Sequence, residues 1–234
     1  MTALRPWVML PTKWIEDKGL KGFRWAKQQG SAHLAGLMTL AVISHHTDRD
    51  TGIAKLTYDD LTAKASLSRA SVSRGLDILI NKGLIDLHPA GRSTYGLVGF
   101  DKSAGWSKFP AKGLYHHGAA VGLSSFTLRS PAELDAMKLY FLFAARRDRT
   151  TGMALLTYDK IDEYAGVSGR RIKLALNVLS AGGLIHIDHI PRQYGEPGVA
   201  NGYRLAHLDP YRHMGTTGRH LDPADLAYAF TEVG

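Results

Sequence analysis

Two stretches of the chain concentrate side chains that can read the edges of flat polar rings: Arg69, Ser71, Ser73 and Arg74, then Arg170, Arg171, Lys173 and Asn177. A guanidinium presents two parallel donors that match guanine O6 and N7, and a carboxamide matches adenine. Hydroxyls flank each stretch, Thr57, Tyr58 and Ser68 before the first, Thr157, Tyr158 and Ser168 before the second. With adjacent helix N-termini, such groups suit phosphate oxygens, which position a ligand without specifying it. The alternative for both stretches is a plain solvated helix face. From Gly166 to Gly183 no acid accompanies Arg170, Arg171 and Lys173, whereas Asp77 dilutes the first stretch, so the second is expected to bind more tightly.

Composition supports an acidic partner. Lys+Arg 29 against Asp+Glu 21 gives a net charge of +8 over 234 residues, which favours nucleic acid or an anionic membrane surface. The longest apolar run, Leu139 to Ala145, is far too short to span a bilayer, and Met1 to Asp17 lacks an apolar core of the signal-peptide kind. Cys 0 excludes a disulfide scaffold, a cysteine-ligated metal and a thiol nucleophile, and fits a reducing cytoplasm. A soluble cytoplasmic protein is expected, with neither membrane nor cofactor. The 11 histidines include His186 and His189, which a strand would point to opposite faces, so no metal site is expected and surface or partly buried histidines are. No Gly-x4-Gly-Lys-Ser/Thr loop, Gly-x-Ser-x-Gly elbow or His-apolar-His pattern occurs, and catalysis is not expected.

The positioning elements recur. At a constant offset of 100, Asp48-Arg49, Thr51-Gly52 and Leu56-Thr57-Tyr58-Asp59 reappear as Asp148-Arg149, Thr151-Gly152 and Leu156-Thr157-Tyr158-Asp159, and Gly83-Leu84-Ile85 reappears as Gly183-Leu184-Ile185. A weaker lead-in match at offset 99 pairs Trp7, Pro11 and Lys13 with Trp106, Pro110 and Lys112. A period so long suits two homologous domains rather than a solenoid. The division expected is 1–100, 101–208 and a tail over 209–234, in which Asp222-Pro223 opens a short helix.

Within each copy, Leu34, Leu37, Met38, Ala41 and Val42, and likewise Leu134, Met137, Phe141 and Leu142, predict an amphipathic first helix. Thr57 and Thr157 would cap a short second helix, with Thr57 and Asp60 forming a capping box. After a tight break Ser68 and Ser168 would cap a third, whose core stripe is Val72, Leu76 and Leu79, or Ile172, Leu176 and Leu179. Gly83 and Gly183 would end it. Leu84 to His88 with Tyr95 to Val98, and Leu184 to Ile190 with Tyr203 to Leu208, predict hairpins whose tips offer Arg92, and Arg192 with Gln193, to a phosphate or minor groove. Trp7, Trp14, Trp25 and Trp106, with Lys13, Lys18, Lys21, Arg24 and Lys27 among the first three, could stack on single strands or dock each lead-in onto its own domain; docking is the expectation.

The order helix, helix-turn-helix, β-ribbon, with Leu10-Pro11-x-Lys13, Ala65-Ser66-Leu67-Ser68-Arg69 and Asn81-Lys82-Gly83-Leu84-Ile85, resembles the winged helix-turn-helix domains of plasmid and phage replication proteins. The resemblance spans about 7–100 and 106–208. It implies a helix-rich α+β chain of two tandem winged-helix domains binding double-stranded DNA at an asymmetric site, recognising origin repeats, recruiting host replication proteins and forming a homo-oligomer on DNA. Two other functions fit the same residues: a transcriptional regulator or autorepressor, and an interaction subunit of a larger nucleoprotein complex.

Overall fold

The computed structural model describes residues 4–26, 29–87, 91, 93–191 and 199–208. The chain opens with strand β1 (Trp7–Pro11), a single turn α1 (Lys13–Glu16), a 3-10 turn over Gly19–Gly22 and the long helix α2 (Gly30–His45). Strand β2 (Ile53–Lys55), helices α3 (Tyr58–Ala65) and α4 (Arg69–Asn81), and strands β3 (Ile85–Leu87) and β4 (Thr94–Leu97) complete the first half. The second half begins with β5 (Trp106–Pro110), a 3-10 turn over Lys112–Leu114, the short pair β6 (Tyr115–His116) and β7 (Ala119–Ala120), and α5 (Val121–Ser124). It then follows the order of the first through α6 (Pro131–Ala145), β8 (Met153–Leu155), α7 (Tyr158–Ala165), α8 (Arg170–Ala181), β9 (Ile185–Pro191) and β10 (Val199–Leu205). The protein is therefore α+β and rich in helix, with small antiparallel sheets.

Each half carries a three-stranded sheet, ordered β2-β4-β3 and β8-β10-β9, where the sequence suggests only a two-stranded ribbon. The extra strand follows from the Asp-Arg-x-Thr-Gly turn. The Asp48 carboxylate accepts from the backbone N–H groups of Asp50 and Thr51 and from the Thr51 hydroxyl, which also holds its pKa low. Gly52 then takes a left-handed φ of 68°, with the Phe100 ring packed where a side chain would be, and the chain leaves as β2. Asp148, Thr150, Thr151 and Gly152 repeat the device.

Caps set the helix limits. Thr57 and Asp60 form the capping box of α3, Thr157 accepts from Lys160 N–H at the start of α7, and Ser68 accepts from Ser71 N–H at the start of α4. Ser168 does not cap: α8 begins after Gly169, whose φ of 48° and ψ of −120° carry the chain into the helix without a side-chain acceptor. Gly83 and Gly183, with φ of 63° and 66°, close α4 and α8, where the N–H groups of Leu84 and Leu184 reach the carbonyls of Leu79 and Leu179. Those are the bonds of a Schellman motif.

The first helices differ from expectation. Every residue of α2 except Ser31 is buried, as is α6 from Glu133 to Ala144, so neither shows the solvated face an amphipathic helix needs. The reason is that the two helices pack on each other as well as on α4 and α8, while the lead-ins cover what remains. Strands β1 and β5 pair antiparallel in the register Trp7↔Pro110, Met9↔Lys108 and Pro11↔Trp106, with the Trp7 and Trp106 rings stacked at 6.0 Å. Trp14 packs on Phe141 of α6 at 5.9 Å, and the 3-10 turn at Gly19–Gly22 lies on α7, while β7 lies on α3. Thus each lead-in docks across onto the other half, not solely onto its own.

His45 sits at this junction, fully buried rather than partly exposed, stacked on Phe109 and with Nδ1 2.9 Å from the Tyr115 hydroxyl. Burial, then the neighbouring His46, holds its pKa down to about 3; burial and then Lys64 hold His46 at about 4. The unfolded chain takes up protons on both below about pH 6.5, while the folded chain resists until far lower. Stability should therefore be complete above that value and fall as pH drops towards the folded pKa values. We expect a lower urea midpoint at about pH 4.5 than at about pH 7.5, and a flatter dependence after His45→Gln with His46→Gln.

Candidate nucleic-acid interface

Helices α3 and α4, and α7 and α8, meet across short breaks with left-handed residues at Ser66 (φ 55°) and Gly166 (φ 64°). The second helix of each pair is fastened by one face. In α4 Val72, Gly75, Leu76 and Leu79 are buried, and in α8 Ile172, Ala175, Leu176 and Leu179 are. The outer side of each helix includes a stripe at i, i+3, i+4 and i+7, the spacing of one helical face. In α4 it reads Ala70, Ser73, Arg74 and Asp77; in α8 it reads Arg170, Lys173, Leu174 and Asn177. The formal charge of the first stripe is zero and of the second +2.

Three of the expected readers stand elsewhere. Ser71 is buried at 7% exposure, its Oγ 2.9 Å from Ser68 Oγ, so it belongs to the cap and not to the exposed face. Arg69 is exposed at the first position of α4, but its guanidinium pairs with Asp59 and lies over the Tyr58 ring, 5.6 Å from its centroid. Arg171 turns back against α6. Its Nε donates to Asp135 Oδ2 at 2.9 Å and its Nη2 to Oδ1 at 2.6 Å, a two-point fork on a carboxylate only 2% exposed.

The phosphate candidates divide similarly. Thr57 spends its hydroxyl on Asp60, at 2.8 Å, which places a carboxylate beside the start of α3. Thr157, at the start of α7, has Lys160 there instead. Ser168 is exposed and uncommitted to the helix cap, while Tyr58 and Tyr158 are half-buried against the core. Arg92, Arg192 and Gln193 lie outside the described residues.

Leu174, exposed at 46%, was not singled out by sequence reasoning, because only polar side chains were sought on the outer face. An aliphatic chain there can meet the methyl of thymine. Asp135 was missed as well. Its signal is a lone acid in an otherwise apolar run, Leu134 to Met137, with Lys138 next to it. Lys138 is buried at 2%; burial lowers its pKa to about 8, Asp135 opposes this, and Arg171 and Arg24 add to the lowering. At the corresponding places in the first half stand Ala35, Met38 and Ser71. An ion network in one half thus replaces apolar packing and a small hydroxyl in the other.

No protein-family model matches the chain, and no curated protein does. Among the described residues no helix is long and apolar enough to cross a membrane, and no group of three or more His, Asp or Glu could hold a metal ion.

Removing the buried acid leaves two cations facing each other without a counter-charge. Asp135→Asn should therefore lower stability by about 3 kcal/mol in urea unfolding at neutral pH, whereas Lys138→Met, which removes a buried charge, should cost less than about 1 kcal/mol or stabilise.

Proposed function

We propose that the protein binds double-stranded DNA sequence-specifically through two winged helix-turn-helix units, with α4 and α8 as recognition helices, and acts in plasmid or phage replication. The observation that carries this reading is the α8 stripe. Arg170, Lys173 and Asn177 stand exposed on one face of a helix that follows a tight turn, with apolar residues fixing the opposite face and no acid between them. A helix so mounted can enter a major groove with donors foremost, and its two cations match phosphate or guanine while the carboxamide matches adenine.

The α4 stripe is chemically different. Arg74 and Ser73 can read bases, but Asp77 opposes the backbone charge and Arg69 is held by Asp59. Two unlike readers in one chain favour an asymmetric target, and their covalent tether raises the effective concentration of the weaker one.

Selection of bound fragments from genomic and random DNA at about 150 mM salt tests the reading. Enrichment of an asymmetric motif supports it, and the layout of sites then separates replication from regulation, since origins present repeats and operators lie over promoters. Failure of the folded protein to enrich any motif would overturn it. Arg170→Ala with Lys173→Ala should shallow the salt dependence of binding by about two slope units, and Asn177→Ala should relax preference at one base position with little change in slope.

A further inference from the structure

The first lead-in carries cations that the recognition stripes do not include. From Lys18 to Arg24 the chain forms a strap tied down at several points. Leu20 and Phe23 are buried, Lys82 Nζ donates to the Gly22 carbonyl at 2.9 Å and lies over the Phe23 ring, and Arg24 N–H donates to His33 Nδ1 at 2.8 Å. The strap crosses to the second half, where Lys18 pairs with Glu163 of α7 at 2.9 Å. Lys21 lies over Gly166, in the break between α7 and α8, so close that a Cβ on that glycine would be 3.4 Å from Lys21 Cγ.

We propose that Lys21 and Arg24 are DNA-phosphate contacts of the second helix-turn-helix, delivered to it by the lead-in of the first half. The proposal rests on the DNA-binding reading above. Three observations support it. Both side chains are exposed, and among the described residues neither forms an ion pair with a carboxylate, unlike Lys18. Arg24 also acts electrostatically on Lys82 and Lys138, and Lys138 feels Arg171 at the start of α8 as well, so cations crowd this corner with Asp135 as their buried counter-charge. Such crowding is unfavourable in the free protein and is relieved by a polyanion. Finally, the strap is held by its backbone and its apolar side chains, so two cations are presented with little ordering left to do on binding.

The counterpart in the second half has no such equipment. The segment 113–124, which touches α3 through β7, carries His116 and His117 and neither Lys nor Arg. The supplement therefore serves α8 alone, and it adds to the affinity of the half whose stripe is already the more basic.

The test is a titration of random-sequence duplex DNA with the full chain between about 50 and 200 mM salt, for wild type and for Lys21→Ala with Arg24→Ala. Loss of two phosphate contacts should reduce the log–log salt slope by about 1.8 and weaken binding at least tenfold near 150 mM, at roughly 0.9 slope units per phosphate. The motif preferred by the wild type should persist, because phosphate contacts do not read sequence. Lys21→Gln with Arg24→Gln, which keeps aliphatic stems on the strap, should behave the same and guards against a packing effect, with urea midpoints confirming the fold. Lys102→Ala with Lys112→Ala removes equal charge elsewhere and should change the slope by clearly less. If the strap variants keep the wild-type slope and affinity while Arg170→Ala with Lys173→Ala loses both, the strap assignment is overturned and the DNA reading stands. If the wild type binds no duplex at all, both fall.

Discussion

Burial of α2 and α6 against each other is the constraint on which the remaining structure depends. Neither helix has a solvated side, so each is stable only while the other covers it, and the β1–β5 ladder with Trp14, Phe109 and Tyr115 closes the remaining gaps. Helices α4 and α8 are mounted on these two buried rods, one on each. The orientation of the exposed stripes is thereby fixed by the centre of the molecule, and a disturbance at the junction reaches both outer helices.

The two mounts are built differently. Where α4 crosses α2, Gly75 brings the backbones together: a Cβ there would stand 3.0 Å from the backbone of Ala35 and Gly36. Where α8 crosses α6, Ala175 and Ala136 are buried at the same positions, and the Arg171–Asp135 fork ties the start of the helix down. The first mount relies on close approach and dispersion, the second on a directional charged pair. A fork of this kind specifies geometry more than it adds net stability, since desolvating the carboxylate offsets much of the attraction.

Much of this was legible in the sequence because it is written locally. Caps at Thr57, Ser68 and Thr157, the closing glycines at 83 and 183, and the apolar stripes of α4 and α8 each depend on neighbours within a turn or two. What was not legible depends on distant partners. The lead-in repeat contains no signal that Met9 faces Lys108, and the stripe of α2 looks one-sided until a second helix is placed on its back. Arg171 has the composition of a base reader, and only the position of Asp135, 36 residues away, ties its guanidinium back against α6 while the side chain stays half-exposed. Ser71 was misplaced by a simpler cause, since a serine serving a cap looks like any other polar residue.

The register of the central ladder has one more consequence. It runs symmetrically about the Met9↔Lys108 pair, with Trp7 opposite Pro110 and Pro11 opposite Trp106. In an assembly of two identical chains, whatever residue occupied that middle position would meet its own duplicate, and lysine would face lysine at a separation where like charges repel. A single chain is free of that rule. Here methionine takes the place of the second lysine, and the ammonium of Lys108 settles over the Trp7 ring at 5.0 Å. The seam can thus hold a pair that no self-matched interface could, and each half can drift in sequence without requiring the same change in the other.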